Sequence, residues 1–342
     1  MEIENLLREN IRKLQPYSCA RDEFKGEASV YLDANENPYN EPFNRYPDPL
    51  QLKVKKQISL IKGVHVKNIF LGNGSDEAID LLYRAFCEPR VDNVVAIEPT
   101  YGMYRVSAEI NDIEYRKVLL GDNFDFSALK LLDKANENTK LIWICSPNNP
   151  TGNSLNRDEI HKLLYWFRGI VVLDEAYIDF ASEESFSKYL PQYPNLVILQ
   201  TFSKAWGNAG IRLGMAFASS EIISVLNKIK YPYNINILTQ KQALNALKNG
   251  EQVKEWVETI LSERKNLIKA LFQLRYVYYI YPSDANFVLV KVEDANALYQ
   301  FLVNKSIIVR NRNTVMLCNN CVRITVGTPE ENTILLGQLK KF

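Results

Sequence analysis

Short apolar runs recur through the middle of the chain, at 68–71, 94–97, 141–145, 170–173, 196–199 and 213–218. Runs this short and this apolar suit parallel strands buried on both faces. Helical patterns separate many of them, as at 76–86 and 157–167. The alternation predicts an α/β protein whose large domain holds a mostly parallel sheet flanked by helices. A long helical stretch from about 239 towards 274 predicts a bridge to a smaller α+β domain. That domain would use a strand at 286–292, a helix at 295–304, strands near 307–310 and 322–326, and a last helix from Pro329. A short helix and an irregular arm precede everything else. The expected division is an arm at 1–28, a large domain at 29–238 and a small domain at 239–342.

Composition narrows the classes. With 342 residues, 46% of them hydrophobic, the chain can bury one large core and a smaller one. A net charge of +1 gives no reason to expect nucleic acid or an anionic membrane as partner. No window approaches the roughly 18 consecutive apolar residues of a membrane span. The start Met1-Glu2-Ile3-Glu4-Asn5 lacks a signal peptide's basic and apolar regions, so a soluble, cytoplasmic protein is expected. Five cysteines, widely spread, do not suggest a disulfide framework. Cys318 and Cys321 match C-x-x-C, but a zinc site would need two more ligands, and His65 and His161 are far away. A redox pair would open a helix, whereas this one precedes a strand-like run. No metal is expected.

The chemistry-bearing residues follow the strand runs, where open α/β sheets bind ligands. After 68–71 comes Gly72-Asn73-Gly74-Ser75-Asp76-Glu77 and then a helix. Glycines permit close backbone approach, and amides at a helix start bind phosphate. The segment is neither a dinucleotide fingerprint nor a P-loop. After 141–145 comes Ser146-Pro147-Asn148-Asn149-Pro150-Thr151-Gly152, a stiff turn that holds an Asn amide in place. After 170–173 come Asp174, Glu175, Ala176 and Tyr177; a carboxylate there suits a protonated pyridine nitrogen. Lys204 lies in Thr201-Phe202-Ser203-Lys204-Ala205-Trp206-Gly207-Asn208-Ala209-Gly210-Ile211-Arg212. A lysine after a buried strand, among small residues, suits a Schiff base with an aldehyde cofactor. In this reading Asn149 and Tyr177 hold the cofactor's phenolic oxygen. Ser75, Asp76, Ser203 and Arg212 surround its phosphate, with Gly74 and Thr201 beside them. The amine of Lys204 then serves as general base and acid.

These motifs resemble the fold-type I pyridoxal-phosphate aminotransferases, and among them the histidinol-phosphate aminotransferases. The likeness covers nearly the whole chain. It includes the arm segments Asn10-Ile11-Arg12 and Leu14-Gln15-Pro16-Tyr17, then Leu32-Asp33-Ala34-Asn35-Glu36-Asn37-Pro38 and Arg45-Tyr46-Pro47-Asp48-Pro49. It continues through Pro99-Thr100-Tyr101-Gly102-Met103-Tyr104 and Val322-Arg323-Ile324-Thr325-Val326-Gly327, besides the segments above. Trp206-Gly207-Asn208 is the one departure, bulkier than the resemblance leads one to expect, and it bears on side-chain preference.

The resemblance implies a pyridoxal 5'-phosphate enzyme that exchanges an amino group between L-histidinol phosphate and 2-oxoglutarate by a ping-pong cycle in histidine biosynthesis. Tyr101 would stack on the pyridine ring. Tyr46 would reach the cofactor phosphate of a neighbouring subunit, which requires a homodimer with shared active sites. Arg323 would bind the α-carboxylate of L-glutamate, and Arg310, Tyr17 and Asn35 would complete the substrate site. A guanidinium fork takes a carboxylate or a phosphate, so one pocket can serve both substrates. An aromatic amino-acid aminotransferase and a phosphothreonine-type decarboxylase remain alternatives on the same scaffold. A non-catalytic cofactor-binding regulator is the alternative of another class. It is disfavoured because Lys204 and Asp174 are both present and no basic helix-turn-helix extension precedes residue 30.

Overall fold

The computed structural model describes residues 2–19, 26 and 28–342; residues 1, 20–25 and 27 of the expected arm lie outside the described set. Seven strands form the larger sheet: β1 (Ile69–Asn73), β2 (Asn93–Glu98), β3 (Glu114–Leu119), β4 (Thr139–Cys145), β5 (Ile170–Asp174), β6 (Leu196–Thr201) and β7 (Leu213–Phe217). Their order is β1-β7-β6-β5-β4-β2-β3. The pairs from β3 through β6 are parallel, while β7 is antiparallel to both β6 and β1. Successive side chains of a strand face opposite ways, and here both faces are apolar. Phe70, Val94, Trp143 and Val172 enter one core. Leu71, Val95, Ile144 and Leu173 enter the other. This is why the strands read as unbroken apolar runs.

The run at 213–218, expected among the parallel strands, is corrected by β7. Only Phe202 to Arg212 separate β6 from β7. A parallel crossover needs about a dozen residues or more, usually with a helix, so the chain folds straight back instead. β3 was not predicted because its sequence, Glu-Tyr-Arg-Lys-Val-Leu, sits at the sheet edge half-exposed and carries no apolar run.

The smaller sheet comprises β8 (Val277–Ile280), β9 (Phe287–Val292), β10 (Arg310–Asn311) and β11 (Cys321–Thr325), all antiparallel, in the order β10-β11-β9-β8. The single long helix expected from 239 is two: Ile237–Lys248 and Gly250–Leu271. Asn249 breaks it, with φ −102° and ψ 33°, next to Gly250. The second of these joins two cores. Its Val253 packs into the core of the large sheet, and Leu267 and Leu271 pack beneath the small one. The helices Ala295–Asn304 and Pro329–Leu339 fall where the sequence placed them. Thr328 caps the latter in a reciprocal box with Glu331, which fixes its start. Among the described residues no helix is long and apolar enough to cross a membrane.

Candidate active site

β1, β2, β4, β5 and β6 all run in one sense, so their carboxyl ends open at one edge of the sheet, where β7 begins. The residues just beyond those ends line a cavity of about 770 Å³, closed on another side by arginines of the small sheet.

Asp174 ends β5, between Cys145 of β4 and Leu199 of β6. Its Oδ2 accepts a hydrogen bond from the Tyr104 hydroxyl at 2.6 Å, and its Oδ1 from the Ala176 N–H at 3.0 Å. Both donors are neutral. Burial pushes the carboxyl up from 3.8 to about 6, against these bonds and the attraction of Lys204. Glu175 has another task. It accepts from the Ser185 hydroxyl at 2.5 Å, the Phe186 N–H at 2.7 Å and the Gln200 amide at 3.0 Å, and so pins the segment that follows β5.

Lys204 follows β6 and extends into the cavity, its Nζ 5.5 Å from the centre of the Tyr177 ring. Solvent reaches the side chain through the mouth. The surrounding protein still desolvates the amine. Burial first, and Arg323 second, hold it below its ordinary value, with Asp174 opposing. A larger fraction of the amine is therefore neutral, the form that acts as nucleophile and base. Tyr177 is buried beneath it and packs edge-on to Phe287 at 5.2 Å.

One wall has the geometry that suits an anion. Gly74 opens the helix Gly74–Phe86 with φ +69°, and a Cβ there would lie 2.7 Å from Arg212 Nη2. A Cβ on Gly214 would lie 2.2 Å from the Ser75 nitrogen, so only glycine lets this helix start sit against β7. The first-turn amides of a helix have no intrahelical partner. Arg212 Nη2 lies 3.4 Å from Asp76 Oδ2, and the Tyr101 hydroxyl donates to Asp76 Oδ1 at 3.0 Å. Ser75, Thr201 and Ser203 line the same cavity.

The two asparagines of the stiff turn divide their work. Asn148 is fully buried, donates to the Pro99 carbonyl at 2.9 Å and to Thr151 Oγ1 at 2.8 Å, and accepts from Thr100 at 2.9 Å. With Asn148 fixing the turn, Asn149 faces the cavity. Its Oδ1 accepts from Arg323 Nη1, which leaves the Nδ2 donor for a ligand.

Arg310 of β10 and Arg323 of β11 are register partners, and Arg312 follows two residues after Arg310. All three line the cavity. Arg323 stacks over Phe287, 5.1 Å from the ring centre. The Nε atoms of Arg312 and Arg323 are buried with no hydrogen-bond partner. Burial, then the charges of Arg323 and Arg310, pull Arg312 down to about 10. Burial likewise lowers Arg323.

Three expected residues stand apart from this cavity. Tyr17 is exposed on the arm. Asn35 and Tyr46 line a separate surface depression, where Tyr46 stacks on Tyr233 at 4.3 Å. Trp206 turns inward to pack on Phe202 at 5.3 Å and does not line the cavity, so the bulky departure belongs to the core. Two residues with no role read from the sequence join the site. Tyr104 holds Asp174, and Arg312 completes the arginine group. The signal for Arg312 was its spacing from Arg310, since residues two apart in extended chain share a face.

The donor set fits pyridoxal phosphate. A buried carboxylate without a charged donor suits the ring nitrogen. The glycine-opened helix start with Arg212 suits the phosphate, the spare Asn149 amide suits the phenolic oxygen, and the Lys204 amine, held below its ordinary value, suits the aldehyde.

The model of the family "Aminotransferase class I and II" matches residues 25–339. The chain is 60% identical over 341 residues to the histidinol-phosphate aminotransferase of Bacteroides fragilis (strain YCH46), covering 99% of each. The structure of the histidinol-phosphate aminotransferase from Clostridium acetobutylicum is similar with a TM-score of 0.81 and 26% identity, over 87% of this chain and 90% of that one. The enzyme of that name from Sinorhizobium meliloti, solved in complex with pyridoxal-5'-phosphate, shares the fold with a TM-score of 0.80 at 23% identity, over 87% of this chain and 82% of that one. The chain therefore belongs to the class I and II aminotransferases and, among these pyridoxal-phosphate enzymes, to the histidinol-phosphate aminotransferase family.

Proposed function

We propose that this enzyme exchanges the amino group between L-histidinol phosphate and 2-oxoglutarate, giving imidazole acetol phosphate and L-glutamate, in histidine biosynthesis. The observation that carries the reading is the arginine group. Arg310, Arg312 and Arg323 face the cavity that holds Lys204, and among the described residues none of the three is in an ion pair. The half-buried Arg312 and Arg323, each with a buried and unpartnered Nε, are costly without a carboxylate unless a ligand supplies the anion.

Pyridoxal phosphate, when bound, supplies the electron sink that makes the substrate Cα proton removable. The protein does the rest. Asp174, held by Tyr104, is a carboxylate that binds and keeps charged a protonated ring nitrogen. Arg212, Ser75, Ser203 and the amides after Gly74 bind the cofactor phosphate, and Thr201 supports Ser203 by accepting from its N–H at 3.1 Å. Asn149 and Tyr177 orient the phenolic oxygen. Tyr101, tethered to Asp76, forms one wall for the ring. Lys204 takes the proton from the substrate Cα with its neutral amine and would pass it to the cofactor's C4′ carbon in the same half-reaction, the transfer running the other way in the second half-reaction. Arg323 and Arg310 bind the substrate's anionic group and thereby orient Cα towards Lys204.

The roles of Tyr46, Asn35 and Tyr17 belong to a homodimer. Leu32, Tyr39, Phe43 and Tyr46 leave a string of exposed apolar side chains beside the depression around Asn35, which supports burial by a second copy of the chain. In such a dimer Tyr46 would reach the partner's cofactor phosphate, and the arm residues Tyr17 and Asn35 its substrate. The working units would be an arm at 1–28, a large domain at 29–238 and a small domain at 239–342 bearing the arginines. Cys87, Cys145, Cys318 and Cys321, all free and buried, support a cytoplasmic setting. The test is glutamate formation by purified enzyme from L-histidinol phosphate and 2-oxoglutarate. Turnover only with another amino donor would overturn the substrate assignment.

A further inference from the structure

The arginine group holds more positive charge than a carboxylate can use. Arg323 is committed through Nη1 to Asn149 and is braced by Phe287, a geometry suited to one fixed anion. Arg310 is the most exposed of the three. Arg312 is different from both. Its backbone is anchored at the small sheet, donating to the Cys321 carbonyl at 2.8 Å and accepting from Val315 at 2.9 Å. Its side chain reaches the cavity, yet its Nε is buried and unpartnered, and among the described residues no carboxylate answers its charge. The groups that face it are Arg323, Arg310, Tyr177 and the thiol of Cys318, none of which is an anion in ordinary conditions. A side chain anchored this way, with an unused fork and two like-charged neighbours, has no structural partner to satisfy among the described residues.

We propose that Arg312 is a specificity-determining residue that binds the second negative charge of a phosphomonoester substrate. The inference rests on the proposed function and sharpens it: Arg323 serves either substrate's anion, and Arg312 serves the dianion selectively. A phosphomonoester carries close to two charges at neutral pH, with a second pKa near 6. Its three terminal oxygens can engage more than one guanidinium fork, whereas a carboxylate presents two oxygens that match one fork.

The experiment compares the two half-reactions in the wild type, Arg312→Gln and Arg312→Lys. A lost charge-assisted hydrogen bond corresponds to roughly tenfold to a hundredfold. Arg312→Gln should raise KM for L-histidinol phosphate by that factor with kcat little changed. The L-glutamate half-reaction should shift less than about threefold. Arg312→Lys, which keeps the charge and loses the fork, should fall between. Inorganic phosphate, as a competitor of the L-glutamate half-reaction, should inhibit Arg312→Gln correspondingly more weakly. Equal losses for both substrates, or no loss for either, would overturn the proposal. If the wild type fails to use L-histidinol phosphate, the functional reading falls. Arg312 is then judged by inorganic phosphate alone, and unchanged inhibition in Arg312→Gln would overturn its role.

Discussion

Replacing Asp174 by Asn should stabilise the cofactor-free protein at neutral pH while crippling the enzyme. Asp174 is buried, and its two hydrogen-bond donors, Tyr104 and the Ala176 N–H, are neutral. Its carboxyl is raised from 3.8 to about 6, so folding without the cofactor places an anion where a neutral acid would be preferred. The difference converts to a cost on the order of 3 kcal/mol once both states are ionised. The sign follows from proton binding. Between the two values the folded chain binds more protons than the unfolded one, so this part of the stability is present below about pH 4 and is lost as pH rises through 6. Asn carries no such dependence, and its amide can keep the bond from Ala176. The stability advantage of Asp174→Asn over the wild type should therefore grow by roughly 1–1.5 kcal/mol from pH 5 to pH 8. The assay is urea unfolding of both apoproteins across that range. The cofactor reverses the ranking, because a protonated ring nitrogen gives Asp174 its counter-charge, and the variant should bind pyridoxal phosphate more weakly. A pH-independent difference, or a variant less stable at pH 8 than at pH 5 relative to the wild type, would refute the reasoning.

Three other outcomes are expected. Lys204→Ala should abolish turnover and the visible absorbance of covalently held cofactor while leaving the circular dichroism unchanged; residual activity near the wild-type level would remove Lys204 from the chemistry. Gly74→Ala must place a side chain at φ +69° against Arg212, which costs about 1–2 kcal/mol of backbone strain. It should weaken cofactor binding about tenfold or more, measured by equilibrium dialysis, and an unchanged affinity would place the phosphate elsewhere. Tyr46→Phe subunits mixed with Lys204→Ala subunits should form hybrid dimers whose activity departs from the average of the two parents. Strict additivity would deny Tyr46 a role across the interface.

Much of this was legible in the sequence because burial and chemistry leave different marks. Strands covered on both faces read as apolar runs, and the residues at their ends stand out because glycine, Asp174 and Lys204 are out of place there. Edge strand β3 left no such mark, since half-exposed Glu114 and Arg116 belong equally to a loop. The reversal of β7 is written in the shortness of its connection, which its apolar run alone does not convey. The break at Asn249 is one residue wide within a helical pattern that continues on both sides. Asn148 and Tyr104 escaped notice because they touch other protein groups, and a buried Tyr–Asp bond between residues 70 positions apart has no local signature. Trp206 shows the converse. Its position beside Lys204 in sequence suggested the site, but its bulk is spent on Phe202 in the core.

Processing of a phosphorylated amine by Lys204 and the arginine group can be read from a single half-reaction on cofactor-loaded enzyme. L-Histidinol phosphate is added to one sample and L-phenylalanine to another, with no keto acid present, and the cofactor's visible absorbance is followed. Rapid loss with L-histidinol phosphate and slow loss with L-phenylalanine is the expected result. The reverse ranking would keep the fold, the cofactor and Lys204, but would contradict the assignment of Arg310, Arg312 and Arg323 to a phosphate.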